Sequence, residues 1–198
     1  PECPEVVMVP TGDGVILSGL AKGFADLQHA GLIAKVPRLI AVQPEGAAAI
    51  VNALKEGKDT ITPVANAASV ADSLTVQAPR NALQCLRVVR ATGGGGVKVT
   101  DEAILEAIAA LARHTGVFAE PAGAASLAGL RVALAEGLVD RDERVVLLVT
   151  GSGLKDIPAA SRAVRRPLPI SLSIEAVANR FQHFLAEIRR TGPGSGAS

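Results

Sequence analysis

The chain has 198 residues, 48% of them hydrophobic, with 20 basic and 19 acidic side chains. That length allows one large or two small domains with a substantial core, and the near-balanced charge excludes a nucleic-acid footprint, which needs a clustered basic excess. Two cysteines without CxxC spacing give neither a disulfide framework nor a metal site, and no apolar run reaches the roughly 18 residues of a membrane span, so the expectation is a cytoplasmic protein with no membrane contact.

In chain order, Glu5–Val9 reads as a buried strand, short and continuously apolar. Val15–Ala30 reads as a helix with Ile16, Leu17, Leu20, Phe24 and Leu27 on one face. "PRLIAVQPE" (37–45) is a second strand bracketed by prolines, and 46–56 a short alanine-rich helix ended by Gly57. Residues 58–78 read as a long loop holding a turn or two. "PRNALQCLRVVRAT" (79–92) reads as a helix with Pro79 at its start. "GGGGVKVT" (93–100) is a flexible turn into a short strand. Thr100 is an N-cap, with Asp101 and Glu102 in the first turn of a helix that runs to about His114. Glu120-Pro121 opens a further helix closed by Gly137. "ERVVLLVT" (143–150) carries the strongest strand signal in the chain, and 158–166 and 173–190 read as two more helices. Arg162, Arg165 and Arg166 read as a solvated helix end, and "TGPGSGAS" as a disordered tail.

Helices crossing between apolar strands predict an α/β fold, a three-layer, mainly parallel sheet with helices on both faces. The expected division is 1–156 as the body, 157–190 as a helical extension and 191–198 as the tail. A first strand within five residues of a start that lacks methionine suggests the C-terminal portion of a longer protein.

In parallel sheets ligands bind beyond the carboxyl ends of the strands. Two strands here end in glycine-rich turns, Thr11-Gly12-Asp13-Gly14 and Thr150-Gly151-Ser152-Gly153. The first leads straight into a helix, whose opening N–H groups and positive dipole end favour an anion. A merely tight turn accounts for the same residues, and both readings stand at this point. Neither the third glycine of a dinucleotide fingerprint nor the Gly-Lys-Ser/Thr of a P-loop is present.

"VPTGDGVILSGLAKGF" resembles the phosphate loop and following helix of the threonine synthases, pyridoxal phosphate enzymes of the fold type II, tryptophan synthase β-subunit-like family. The resemblance continues in order through "PRLIAVQPEG", "ADSLTVQAPRN", "GVFAEPAGAASLAGL" and "VVLLVTGSGLKD", over roughly residues 5–156. It implies pyridoxal 5'-phosphate as cofactor, its phosphate held by the backbone N–H groups of Gly12, Asp13, Gly14, Val15 and Ile16. It also implies a Thr150 hydroxyl at the pyridine nitrogen, a small amino-acid substrate and a homodimeric full-length enzyme. The implied reaction takes O-phospho-L-homoserine and water to L-threonine and phosphate. A threonine or serine dehydratase of the same fold is the alternative.

Two departures accompany the resemblance. The family's Schiff-base lysine precedes the phosphate loop, and none of the six lysines here stands in that position, so no catalytic residue is assigned within the chain. That departure keeps a catalytically inactive binding module open as a third reading. Asp13 stands where many relatives carry a neutral residue, and a carboxylate about 4 Å from a phosphate costs on the order of 1 to 4 kcal/mol, so it is expected to turn away. Glu120, Asp72 and Ser73 are weaker candidates for facing the site. His29, His114 and His183 show no metal spacing and read as surface or helix-end residues.

Overall fold

The structure, a computed structural model, describes residues 3–164 and 169–191, with backbone alone for 187–191. It divides into two compact units, Pro1–Val164 and Arg165–Ser198. Arg165, Arg166 and the tail from residue 192 onward lie outside the described residues.

The first unit is built on a four-stranded sheet in the order β3-β2-β1-β4, every pairing parallel. Its strands are β1 (Val6–Pro10), β2 (Arg38–Pro44), β3 (Gly95–Val99) and β4 (Val145–Leu147). Side chains alternate across a strand, and the apolar run of β1 uses both faces. Val6 and Met8 pack with Ile40, Val42, Val97 and Val99 against α4 (Asp101–Thr115) and α5 (Pro121–Ala135). Val7 and Val9 pack with Leu39 and Ala41 against α1 (Val15–His29), α2 (Ala49–Lys55) and α3 (Ala82–Ala91). The three-layer α/β reading therefore holds. A continuous rather than alternating apolar strand is what two covered faces demand.

Local chemistry sets the helix ends. Thr100 caps α4, its hydroxyl oxygen accepting the Ala103 N–H at 3.1 Å, and Gly116 closes the helix at φ 74°. Asp156 caps α6 (Ile157–Arg162) through the Ala159 N–H, and Ser173 caps α7 (Ile174–Thr191) through that of Ala176. His29 and His114 fall in the last turns of α1 and α4, and His183 lies on exposed surface of α7. The described residues hold no helix long and apolar enough to cross a membrane, and no cluster of potential metal ligands.

Four local expectations change. β4 is three residues long rather than eight, because it pairs on one side only and its middle residue, Val146, is exposed. Gly95 and Gly96, expected in a flexible turn, are paired residues of β3. On α1 the buried positions are Leu17 and Ala21, whereas Ile16 and Leu27 are exposed. The stretch at Pro79 stays non-helical for three residues, because Arg80 and Asn81 bond back to the first glycine turn before α3 begins.

Candidate functional site

β1 and β4 are neighbours in the sheet and run the same way, with Met8 opposite Leu147. The turns that follow them therefore emerge side by side. Between them lies a cleft of about 350 Å³ lined by residues 10–17 together with Ser73, Leu74, Glu120, Thr150 and Lys155. The predicted Gly12, Asp13, Gly14, Val15, Ile16 and Thr150 are all brought to this cleft, across more than 130 residues of chain. Glu120 and Ser73 join them, and Asp72 is not among the lining residues.

The floor is fixed from below. Gln43, fully buried at the end of β2, donates through Nε2 to the Thr11 carbonyl at 3.1 Å and accepts the Val51 N–H of α2 at 2.9 Å. Thr11 is itself buried, its hydroxyl donating to the Val9 carbonyl at 2.7 Å. A glutamine inside the otherwise apolar "LIAVQP" is the sequence signal for this brace, one that strand patterning alone does not interpret.

The loop itself ends on Gly14, at φ 86°, the N-cap of α1, with no side-chain cap. The first N–H groups of a helix have no partner within it. Among the described residues no other backbone or side-chain group accepts the N–H of Gly12, Asp13, Gly14, Val15 or Ile16. A loop that offers up to five such donors at the positive end of a helix has the chemistry to hold an anion. The Asp13 carboxylate, the apparent obstacle, accepts the Arg80 N–H at 2.9 Å and is thereby held on the α3 side.

The opposite wall is a clamp between residues 118–120 and 151–153. Ala119 and Ser152 form an antiparallel bridge, Glu120 donates its N–H to the Gly151 carbonyl at 3.0 Å, and Gly153 donates to that of Phe118 at 2.9 Å. The buried Glu120 carboxylate pairs with the exposed Lys155 ammonium at 2.9 Å. It lies so close over Gly151 that a Cβ there would sit 2.1 Å from Oε1, so any side chain at position 151 has to displace the Glu120 carboxylate. Thr150, at the end of this wall, is exposed. Lys22, by contrast, is a surface residue of α1 paired with Asp26.

A family model described as pyridoxal-phosphate dependent enzyme matches residues 2–151. Over 176 residues the chain is 39% identical to the threonine synthase of Methanocaldococcus jannaschii, covering 89% of this chain and 44% of that protein. With the threonine synthase of Methanosarcina acetivorans it shares 37% identity, over 88% of this chain and 43% of that protein. Among solved structures, a threonine deaminase from T.th. superposes with a TM-score of 0.58 at 25% identity, over 84% of this chain and 51% of that one. The chain thus spans under half the length of the curated relatives it matches.

Proposed function

Because the chain belongs to the pyridoxal-phosphate dependent enzymes, we propose that the cleft at the ends of β1 and β4 holds pyridoxal 5'-phosphate in a threonine synthase-like lyase. The whole enzyme, read as a cytoplasmic homodimer, would take O-phospho-L-homoserine and water to L-threonine and phosphate, losing the γ-phosphate and adding water at Cβ. The observation that carries the reading is the row of N–H donors from Gly12 to Ile16 on a loop that lines the cleft.

The residues fit the group. A phosphate needs several donors, and this loop offers them with the Asp13 carboxylate turned onto the Arg80 N–H and the Glu120 carboxylate paired with Lys155. When bound, the cofactor supplies an electron sink for charge developing on the amino-acid substrate. The Gly12–Ile16 backbone holds its phosphate, and the positive end of α1 adds to that hold. Thr150 would meet the ring at its pyridine nitrogen, and its neutral hydroxyl would not hold that nitrogen protonated as a carboxylate would. The clamp from Glu120 to Gly151 keeps Thr150 in place, with Lys155 balancing the buried Glu120 charge.

The likeness to a threonine deaminase structure favours a second reading, elimination from threonine itself. Two assays on the enzyme containing this chain separate them. O-phospho-L-homoserine should give inorganic phosphate and threonine in equal amounts. Release of 2-oxobutanoate and ammonia from L-threonine, with phosphohomoserine inert, selects the deaminase instead. Inertness toward both, with the cofactor retained, overturns both.

A further inference from the structure

The loop that lines the cleft does not stand alone. Two consecutive residues, Arg80 and Asn81, fasten it to the start of α3. Arg80 donates its N–H to the Asp13 carboxylate at 2.9 Å, and Asn81 donates its own N–H to the Asp13 carbonyl at 3.2 Å. The Asn81 side-chain Nδ2 donates to the Gly14 carbonyl at 3.2 Å and to the Ser18 hydroxyl at 2.8 Å.

These bonds reach further than the atoms they join. A trans peptide is planar, so its N–H points opposite to its C=O. Holding the Asp13 carbonyl toward α3 turns the Gly14 N–H the other way. The Gly14 carbonyl accepts the Ser18 N–H of α1 at 3.1 Å as well as Asn81 Nδ2, and the two bonds together fix the direction of the Val15 N–H. One residue at the N-cap of α3, 67 positions along the chain from Gly14, thereby helps to set the direction of two of the five donors of the cradle.

We infer that Asn81 is a positioning residue for anion binding: its side chain aims the Val15 N–H by holding the Gly14 carbonyl, while its own backbone N–H holds the Asp13 carbonyl and with it the direction of the Gly14 N–H. The inference rests on the phosphate-loop reading above. The Asp13 carboxylate acts with it, tying the loop to Arg80 instead of opposing the anion.

The test compares pyridoxine 5'-phosphate with pyridoxine, which lack the aldehyde and cannot label lysines. Dissociation constants for both are measured by equilibrium dialysis on the chain and on Asn81→Asp and Asn81→Ala. The wild-type chain should prefer the phosphorylated compound by at least about tenfold, the worth of roughly one hydrogen bond to a charged group. Asn81→Asp keeps the shape but sets an oxygen against the Gly14 carbonyl, and Asn81→Ala removes the side chain; both keep the backbone N–H on the Asp13 carbonyl and release only the Val15 N–H. Each should cut the preference by about fivefold or more while pyridoxine affinity stays within about twofold. Far-UV circular dichroism identifies a variant that fails to fold, and the isosteric Asp variant then decides. A purely structural role for Asn81 weakens both compounds alike and leaves the ratio unchanged, and that result overturns the inference alone. A wild-type chain with no preference overturns the phosphate-loop reading, and the inference with it.

Discussion

Gly14 turns into α1 at φ 86°, and a Cβ built on it would lie 2.8 Å from the Cβ of Cys85. The absent side chain therefore makes room for α3 rather than for a ligand. Gly14→Ala should cost about 1–3 kcal/mol, from the left-handed backbone and the contact together; urea unfolding of the variant measures it, and an unchanged midpoint would contradict the packing. Cys85 itself is fully buried beneath this turn, and burial pushes its thiol from 9.0 up to about 12. Above about pH 9 the unfolded thiol gives up a proton that the native one keeps. The unfolded state then binds fewer protons, so stability falls as pH rises from about 9 to 12, by about 1.4 kcal/mol per pH unit. Cys85→Ala lacks that slope. Its stability deficit relative to wild type should narrow between pH 9 and 10 in urea titrations, and a constant deficit would show the thiol to be accessible.

The short edge strand β4 is held by more than its three paired residues. Arg38, at the start of β2, reaches the Glu143 carboxylate with Nη2 at 2.7 and 2.6 Å and donates through Nη1 to the Leu138 carbonyl at 2.9 Å. Glu143 also accepts the Asp140 N–H at 2.9 Å. That backbone bond first, and Arg38 second, hold its carboxyl below the usual carboxylate range. A carboxyl with a lowered native pKa adds stability that is present above the unfolded value near 4.5 and lost as pH falls through the native one. Glu143→Gln should therefore lower the melting midpoint at pH 7 and flatten the decline toward pH 3. Equal acid sensitivity in variant and wild type would show that the pair does not fasten β4.

Among the described residues, the sheet order leaves β4 with an open edge, and Val146 is 45% exposed there. Near the cleft Val15, Ile16 and Leu154 are exposed at 61%, 53% and 72%. Apolar side chains on an unpaired strand edge template association between copies. Sedimentation of the chain should show a mean mass that grows with concentration, and Val146→Lys should suppress that growth while leaving the melting midpoint within about 2 °C, since an exposed substitution costs little. Identical concentration dependence in both proteins would place the sticky surface elsewhere.

Much of this was legible in the order of residues. Strand and helix identity follow from local apolar patterning and from caps such as Thr100, which act within one turn of chain. The two glycine turns could be marked as a site because parallel sheets put ligands at strand ends, and the motifs from "VPTGDG" to "TGSGLKD" named the family. The turn's lack of side chains was visible too, but not which neighbour it accommodates. Only the tertiary structure brought Thr150 and Gly12 to one cleft, paired Lys155 with the buried Glu120, and turned Asp13 onto Arg80. It also decided that β4 is an exposed edge while β1, of similar composition, is buried on both faces. Composition fixes what a segment can bury, but sheet order fixes how many neighbours it has. Hydrogen bonds between residues some 67 positions apart, like those of Asn81, leave no periodic trace in the chain that encodes them.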